Sequence, residues 1–342
     1  MKTPSYIYTS LTRISDLQTS PFEVRQLPRE DWGRGDYVVC EIQEAGGTEL
    51  QLELTSGRMR GIIGGEHLIG VLGERFATLE ATGSWEGIAA DGRMHVLTGA
   101  GLLGKLTSKS VFLPAMMQGV YRGHPVRNGR KLTMDDFVLP VQPRTFTTPV
   151  VLFYGTSMSA GKTTSARIVT HLFTQAGYRV VAAKVTGAGR YKDILAMKDV
   201  GARAIFDFVD VGLPSSICPE AVYREKLVQL LSRMAAVPAD VAVVEIGASP
   251  LEPYNGSLAY EALRDHVKCA ILSASDPYAV LGVIQAFGLR PDLVTGVASN
   301  TLAGTALVEK LCQVRTLNLL DPSNIPALCA LLERTTGLAL TP

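Results

Sequence analysis

The hydrophobic and polar positions of this chain change rhythm near residue 140. Before it, short strand-like runs alternate with turns: DYVVCEI, GGT, ELQLEL, TSGR and EHLIGVLGERFATLEAT. Such spacing predicts a small, mainly antiparallel β domain over residues 1–140. From Val150 onward the apolar runs VVLFY, RVVAAKV, AIFDFV, VAVVEIG, CAILSAS, LVTGVAS and VRTLNLL alternate with helical patterns such as AVYREKLVQLLSRMAAV. Continuous apolar strands joined by helices predict a doubly wound α/β unit over 150–342, its mainly parallel sheet covered on both faces. Between the two regions LPVQPRTFTTP (139–149), with its three prolines, predicts an extended linker over 141–149.

The first strand of the α/β pattern runs into a glycine-bracketed loop. Val150 to Thr164 reads VVLFYGTSMSAGKTT, and the helix-like SARIVTHLFTQAG follows. In a strand–loop–helix setting, backbone N–H groups and the helix N-terminus can surround phosphate oxygens, a lysine reaches the outer phosphates, and a hydroxyl is offered to Mg²⁺. The predicted phosphate-binding set is therefore Gly155, Thr156, Ser157, Met158, Ser159, Ala160, Gly161, Lys162, Thr163 and Thr164, with Thr163 toward the metal. Gly155 and Gly161 enclose five residues where the usual pattern has four, so Thr156 stands at the customary place of the first glycine. The structural alternative is an ordinary helix start with threonines near the cap.

Open α/β sheets bind ligands at the carboxyl ends of their strands, where Gly155, Lys184, Glu245, Ser275 and Asn300 would emerge. Asn300 accordingly joins the nucleotide set. Glu245, closing VVEIG, is the first candidate to hold Mg²⁺ or orient a nucleophile, and the alternative is a glutamate that caps the next element. Lys184 ends the second strand, and Thr186, Gly187 and Arg190 follow in its glycine-rich turn. Cations there can stabilise a transferring phosphoryl group or bind an acidic substrate. The structural alternative for Lys184 is a salt bridge with Asp207, Asp210 or Glu245, since an unpaired lysine is costly to bury. Asp210, in FDFVDVGLPSS, and Tyr254 and Asn255, in ASPLEPYNGS, are further substrate candidates on loops at the same edge.

Composition narrows the functional classes. The 342 residues include 46% hydrophobic and 19% charged, with a formal net charge of +1, so neither nucleic acid nor an anionic membrane is an expected partner. No apolar run reaches the roughly 18 residues of a membrane span. Cys40, Cys218, Cys269, Cys312 and Cys329 are scattered and form no CxxC pair, which disfavours zinc and a disulfide framework and suits buried thiols of a reducing cytosol. The N-terminal MKTPSYIYTSLTRISD has no signal- or transit-peptide composition, so a cytoplasmic protein is expected. The isolated histidines offer no Ser–His–Asp or metal-ligand spacing. GAGLLG (99–104) matches the dinucleotide fingerprint but no amphipathic helix follows it, so its glycines are read as a close-packed turn.

GTSMSAGKT (155–163) resembles the loop of dethiobiotin synthetase and of the cobyric-acid and molybdopterin-guanine-dinucleotide accessory proteins, which also place five residues between the glycines. The resemblance covers about 150–320. It implies a phosphate loop on a mainly parallel sheet, Mg-ATP or Mg-GTP, a homodimer, and phosphorylation of a carboxylate or carbamate of a small-molecule substrate. Lys162 and Thr163 carry over directly and Lys184 loosely, and Ser157 stands where dethiobiotin synthetase has an acid. The order of loop, KVTG turn, DFVD and VVEIGASPLEP also resembles a phosphate-loop family that includes D-glutamate N-acetyltransferases, which implies an acyl donor such as acetyl-coenzyme A on the loop. Three classes follow: an NTP-dependent kinase or ligase with Lys162, Lys184 and Glu245 as catalytic groups, a coenzyme-A-dependent acyltransferase, and a nucleotide-switched accessory protein. The missing Asn/Thr-Lys-x-Asp run favours ATP over GTP.

Overall fold

Six strands of the second half lie parallel in one sheet. They are β1 (Val150–Gly155), β2 (Val180–Thr186), β3 (Ala204–Asp207), β4 (Val241–Ile246), β5 (Val267–Ser273) and β6 (Leu293–Thr295), in the spatial order β3-β2-β4-β1-β5-β6. Every residue of β1, β2 and β4 is buried. Successive side chains of a strand point to opposite faces, so uninterrupted burial means that both faces are covered. The connections are helical: α1 (Lys162–Gln175), α2 (Tyr191–Lys198), α3 (Glu220–Ala235), α4 (Gly256–Leu263) and α5 (Pro277–Phe287), with α6 (Leu302–Cys312) and α7 (Ile325–Thr336) closing the chain. This is the doubly wound α/β arrangement that the hydrophobic pattern predicts. The run VRTLNLL departs from it. Only Thr316 bridges to Val294, and then the N–H of Leu320 donates to Asn318 Oδ1 at 3.0 Å, an Asx-type turn that carries the chain off the sheet.

This architecture is that of a computed structural model, which describes residues 5–46 and 51–340. Gly47 and Thr48 of the predicted GGT turn, and Glu49 and Leu50 of the ELQLEL run, lie outside the described residues. The chain divides into two compact units. The second contains the parallel sheet, and the first contains residues up to Pro140 together with two loops of the second half, Ala188–Lys192 and Phe208–Ile217.

The first unit is strand-rich and mostly antiparallel. Its ladder runs through His67–Leu72, Tyr37–Glu44, Gln118–Arg127, Arg93–Thr98 and Leu102–Lys109, and Leu102–Lys109 pairs again with His67–Leu72. The circuit closes on itself, which leaves those strands no free edge. Val38, Cys40, Leu68, Met94, Val96 and Leu103 are among the side chains of its apolar core. GAGLLG forms a turn at Gly101, with φ +90, that enters the Leu102–Lys109 strand, in keeping with a structural role for its glycines. Glu53 holds down one of the borrowed loops: its carboxylate accepts the N–H groups of Tyr191 and Lys192, both at 2.8 Å, and the Ser10 hydroxyl.

No helix among the described residues is long and apolar enough to cross a membrane. None of the five cysteines is in a disulfide; Cys40, Cys269 and Cys312 are buried, whereas Cys218 and Cys329 are only half-buried. Burial, helped by Glu41, pushes the Cys40 thiol up to about 12, and burial also takes Cys269 to about 12. The thiolate is the reactive form. In native protein at about pH 8, Cys40 and Cys269 should therefore resist alkylation while Cys218 and Cys329 react, and unfolding in guanidinium should open all of them, as read by mass spectrometry of labelled peptides.

Candidate functional site

The loop of residues 156–161 leaves the carboxyl end of β1, at the middle of the sheet, and feeds directly into α1. Its shape follows from close contacts that need glycine. A Cβ at Gly155 would lie 2.9 Å from Lys162 Cδ and 3.0 Å from its Nζ, so the lysine stem passes over the first glycine. Gly161 caps α1 with φ +101, in the left-handed region. Thr156, at the customary glycine position, ties the loop to the end of β5. Its N–H donates to Ser273 O at 3.1 Å, and its Oγ1 accepts the N–H of Ser275 at 3.0 Å.

Lys162 is folded back into this loop. Its Nζ donates to the carbonyls of Ser157 at 2.5 Å and Met158 at 3.2 Å, and the residue is only 1% exposed. Burial pushes its pKa down to about 8, against an opposing pull from the Glu245 carboxylate. The next residue, Thr163, donates its hydroxyl to Glu245 Oε2 at 3.0 Å.

The strand register assembles the remaining charges. Glu245 on β4 lies opposite Phe153 of β1 on one side and Lys184 of β2 on the other, and Asp207 of β3 lies opposite Lys184 in turn. Lys184 Nζ donates to Asp193 Oδ2 at 2.5 Å. Asp193, in the first turn of α2, is thus a partner of Lys184 beside Glu245 and Asp207, whose charges also favour the ammonium. Burial opposes the Lys184 ammonium, yet Asp193 and Glu245 more than offset it and raise its pKa. Burial raises the Glu245 pKa, and Lys184 and Lys162 limit the rise.

A second feature adjoins the loop. Gly161, Thr164 and Ile168 line a cavity of about 100 Å³ together with Val297, Asn300 and Leu319. Asn300 thus lines one cavity with the end of the loop. Asn318, Leu319 and Leu320 were missed there, because the last apolar run reads as a strand.

Other candidates stand elsewhere or are engaged. Tyr254 is fully buried. Asn255 takes φ +61 before α4 and spends an amide N–H on Cys218 O at 3.0 Å. Asp210 belongs to the first unit and pairs with Arg13 at 3.0 Å, and Arg190 belongs to that unit also. Thr186 and Gly187 stay beside Lys184. The Thr186 hydroxyl is buried with no hydrogen-bond partner among the described residues, and a Cβ at Gly187 would lie 3.2 Å from Lys184 Cε.

No family profile matches the chain, and no curated protein matches it. Among solved structures it is similar to chloroplast FtsY from Physcomitrella patens, at 14% identity and TM-score 0.37 over 52% of this chain and 59% of that one. A DUF1611 family protein from Anabaena variabilis is similar at 17% identity and TM-score 0.33, over 57% and 60% of the two chains. A ParA family ATPase from Chlorobium tepidum is similar at 15% identity and TM-score 0.30, over 55% and 91%. The chain spans less than two thirds of the length of the first two. Its own strand order, with a glycine loop leading from the central β1 into α1, is that of a doubly wound α/β sheet.

A titration follows from the buried lysine. Phosphate oxygens would favour the charged form, so the bound state keeps the Lys162 proton to a higher pH than the free state does. Above about pH 8, binding of a phosphate-bearing ligand should take up a proton, and affinity should fall by up to about tenfold per pH unit. Calorimetry near pH 8.5, in buffers of different ionisation heat, should show that uptake for the wild type and none for Lys162→Met.

Proposed function

We propose that the second unit binds a purine nucleoside triphosphate with Mg²⁺, ATP in preference to GTP, and activates or transfers a phosphoryl group on a small carboxylate-type substrate as a kinase or ligase. The observation that carries this reading is the Thr163 hydroxyl held at 3.0 Å from the Glu245 carboxylate, one residue beyond the loop lysine. A hydroxyl, a carboxylate and a lysine thereby meet at the end of the phosphate loop.

The donor set fits magnesium better than a transition metal. Among the described residues no cluster of three or more His, Cys, Asp or Glu side chains forms a metal site. Magnesium usually takes one or two protein oxygens and fills its remaining positions with water and phosphate. Thr163 and Glu245 would hold it, and when bound it would neutralise charge on the phosphate oxygens.

The remaining roles follow from the chain's own residues. Lys162 exchanges the Ser157 and Met158 carbonyls for phosphate oxygens, gaining charge-assisted hydrogen bonds in place of neutral ones. Backbone N–H groups of the loop and the start of α1 face the same anion. Lys184, one strand further, is oriented by Asp193 and supplies positive charge where it develops on the transferring group. Fixed cations act strongly there because the strand ends are already desolvated.

Lys162→Ala removes a charge-assisted contact and should weaken nucleotide binding about 10- to 100-fold. Unchanged affinity would refute the reading. Glu245→Gln keeps the shape and loses the charge, so turnover should fall much further than nucleotide affinity, and EDTA should abolish product formation. Metal-independent turnover supported by acetyl-coenzyme A and not by ATP would establish an acyltransferase instead.

A further inference from the structure

Buried polar atoms without partners are rare in folded proteins, and in the first unit three of them border one cavity. The cavity measures about 280 Å³, and its walls include Arg75, Thr98 and Arg190 among the apolar side chains of Val96, Leu113 and Met116. Arg75 is anchored: Nη1 donates to Leu97 O at 2.6 Å and Nη2 pairs with Glu80. Its Nε is nonetheless buried with no acceptor among the described residues, and the same holds for Arg190 Nε and the Thr98 hydroxyl. Thr98 is only 9% exposed.

All three atoms can donate, and a folded chain seldom leaves buried donors idle. What these three donors lack is an acceptor among the described residues, and two guanidinium groups select an anionic one. Glu80 already neutralises Arg75, so among the described residues the positive charge left over is that of Arg190, which suits a single negative charge. The rest of the wall, apart from Gln51 and the Glu80 carboxylate that pairs with Arg75, is apolar and suits hydrocarbon, with methionine able to adapt to its outline. The volume lies at the small end of the roughly 300–1,000 Å³ usual for ligand pockets, below what a nucleotide needs.

We infer that this cavity is a binding site for a small organic monocarboxylate with a short apolar body, its oxygens taking the N–H groups of Arg75 and Arg190 and the hydroxyl of Thr98. The inference does not depend on nucleotide binding by the second unit. It uses Arg190, marked in the sequence as a substrate contact, together with Arg75 and Thr98, which no motif marks.

The test uses the full chain labelled with ¹³C at its methionine methyls, titrated with butyrate, with butyramide as a neutral isostere, and with inorganic phosphate. Butyrate should shift the Met116 and Met117 methyl resonances saturably, and butyramide and phosphate should not. Arg190→Gln should weaken butyrate binding about 10- to 100-fold, and Thr98→Val several-fold, with the melting temperature of each variant checked first. If a variant does not fold, the comparison of butyrate with butyramide on the wild type decides. Absence of butyrate binding, equal binding of butyramide, tighter binding of phosphate, or butyrate affinity unaltered in folded Arg190→Gln would each overturn the assignment.

Discussion

Ions buried at the strand ends of the parallel sheet can persist only because they answer one another. Lys162, Lys184 and Glu245 are each at most 5% exposed, and an isolated charge so placed would cost several kcal/mol. Glu245 stands between the two ammonium groups, Asp193 takes the second of them, and the Thr163 hydroxyl takes part of the carboxylate. The strand register enforces the set, since Lys184 lies opposite Glu245 across β2 and β4. A slip of one residue would turn Glu245 to the other face of the sheet and leave both lysines short of a counter-charge. The apolar packing of β1, β2 and β4 therefore holds the polar chemistry in place.

The loop depends on the same constraint from the other side. Lys162 must travel back over Gly155 to reach its carbonyls, and only a residue without a side chain leaves that route open. The extra residue between the glycines does not disturb this, because Thr156 is absorbed by hydrogen bonds to the end of β5. Loop and sheet are thus joined through β1 itself and through the backbone of Ser273.

Much of this was legible in the sequence where the signal is local. Runs such as VVLFY and VAVVEIG, apolar at nearly every position, announce strands buried on both faces, and the glycines that bracket residues 156–160 announce the turn from β1 into α1. What was not legible depends on distant pairing. Nothing near Lys184 marks Asp193 as a hydrogen-bonded partner, because that contact depends on where α2 begins. The closed circuit of strands in the first unit arises from Leu102–Lys109 meeting His67–Leu72, a pairing that alternation alone does not specify. ASPLEPYNGS reads as a polar loop, yet Tyr254 turns inward from it, because a flexible connection can still place one large apolar ring in the core. The run VRTLNLL misleads for the opposite reason: its hydrophobicity is that of a strand, but Asn318 bends the chain away after a single bridge.

That single bridge has a bearing on how copies of the chain can meet. Sheets that associate do so most readily where an outer strand presents a row of unused N–H and C=O groups. At β6 those groups are already taken, since Val294 donates to Arg315 O at 2.9 Å and accepts from Leu317 N at 3.0 Å. The opposite border, β3, offers only the four residues Ala204–Asp207. A continuous sheet running from one molecule into the next thus has little to start from in this unit, and self-association through it is left to helix surfaces, whose backbone groups are spent internally and whose side chains decide the fit.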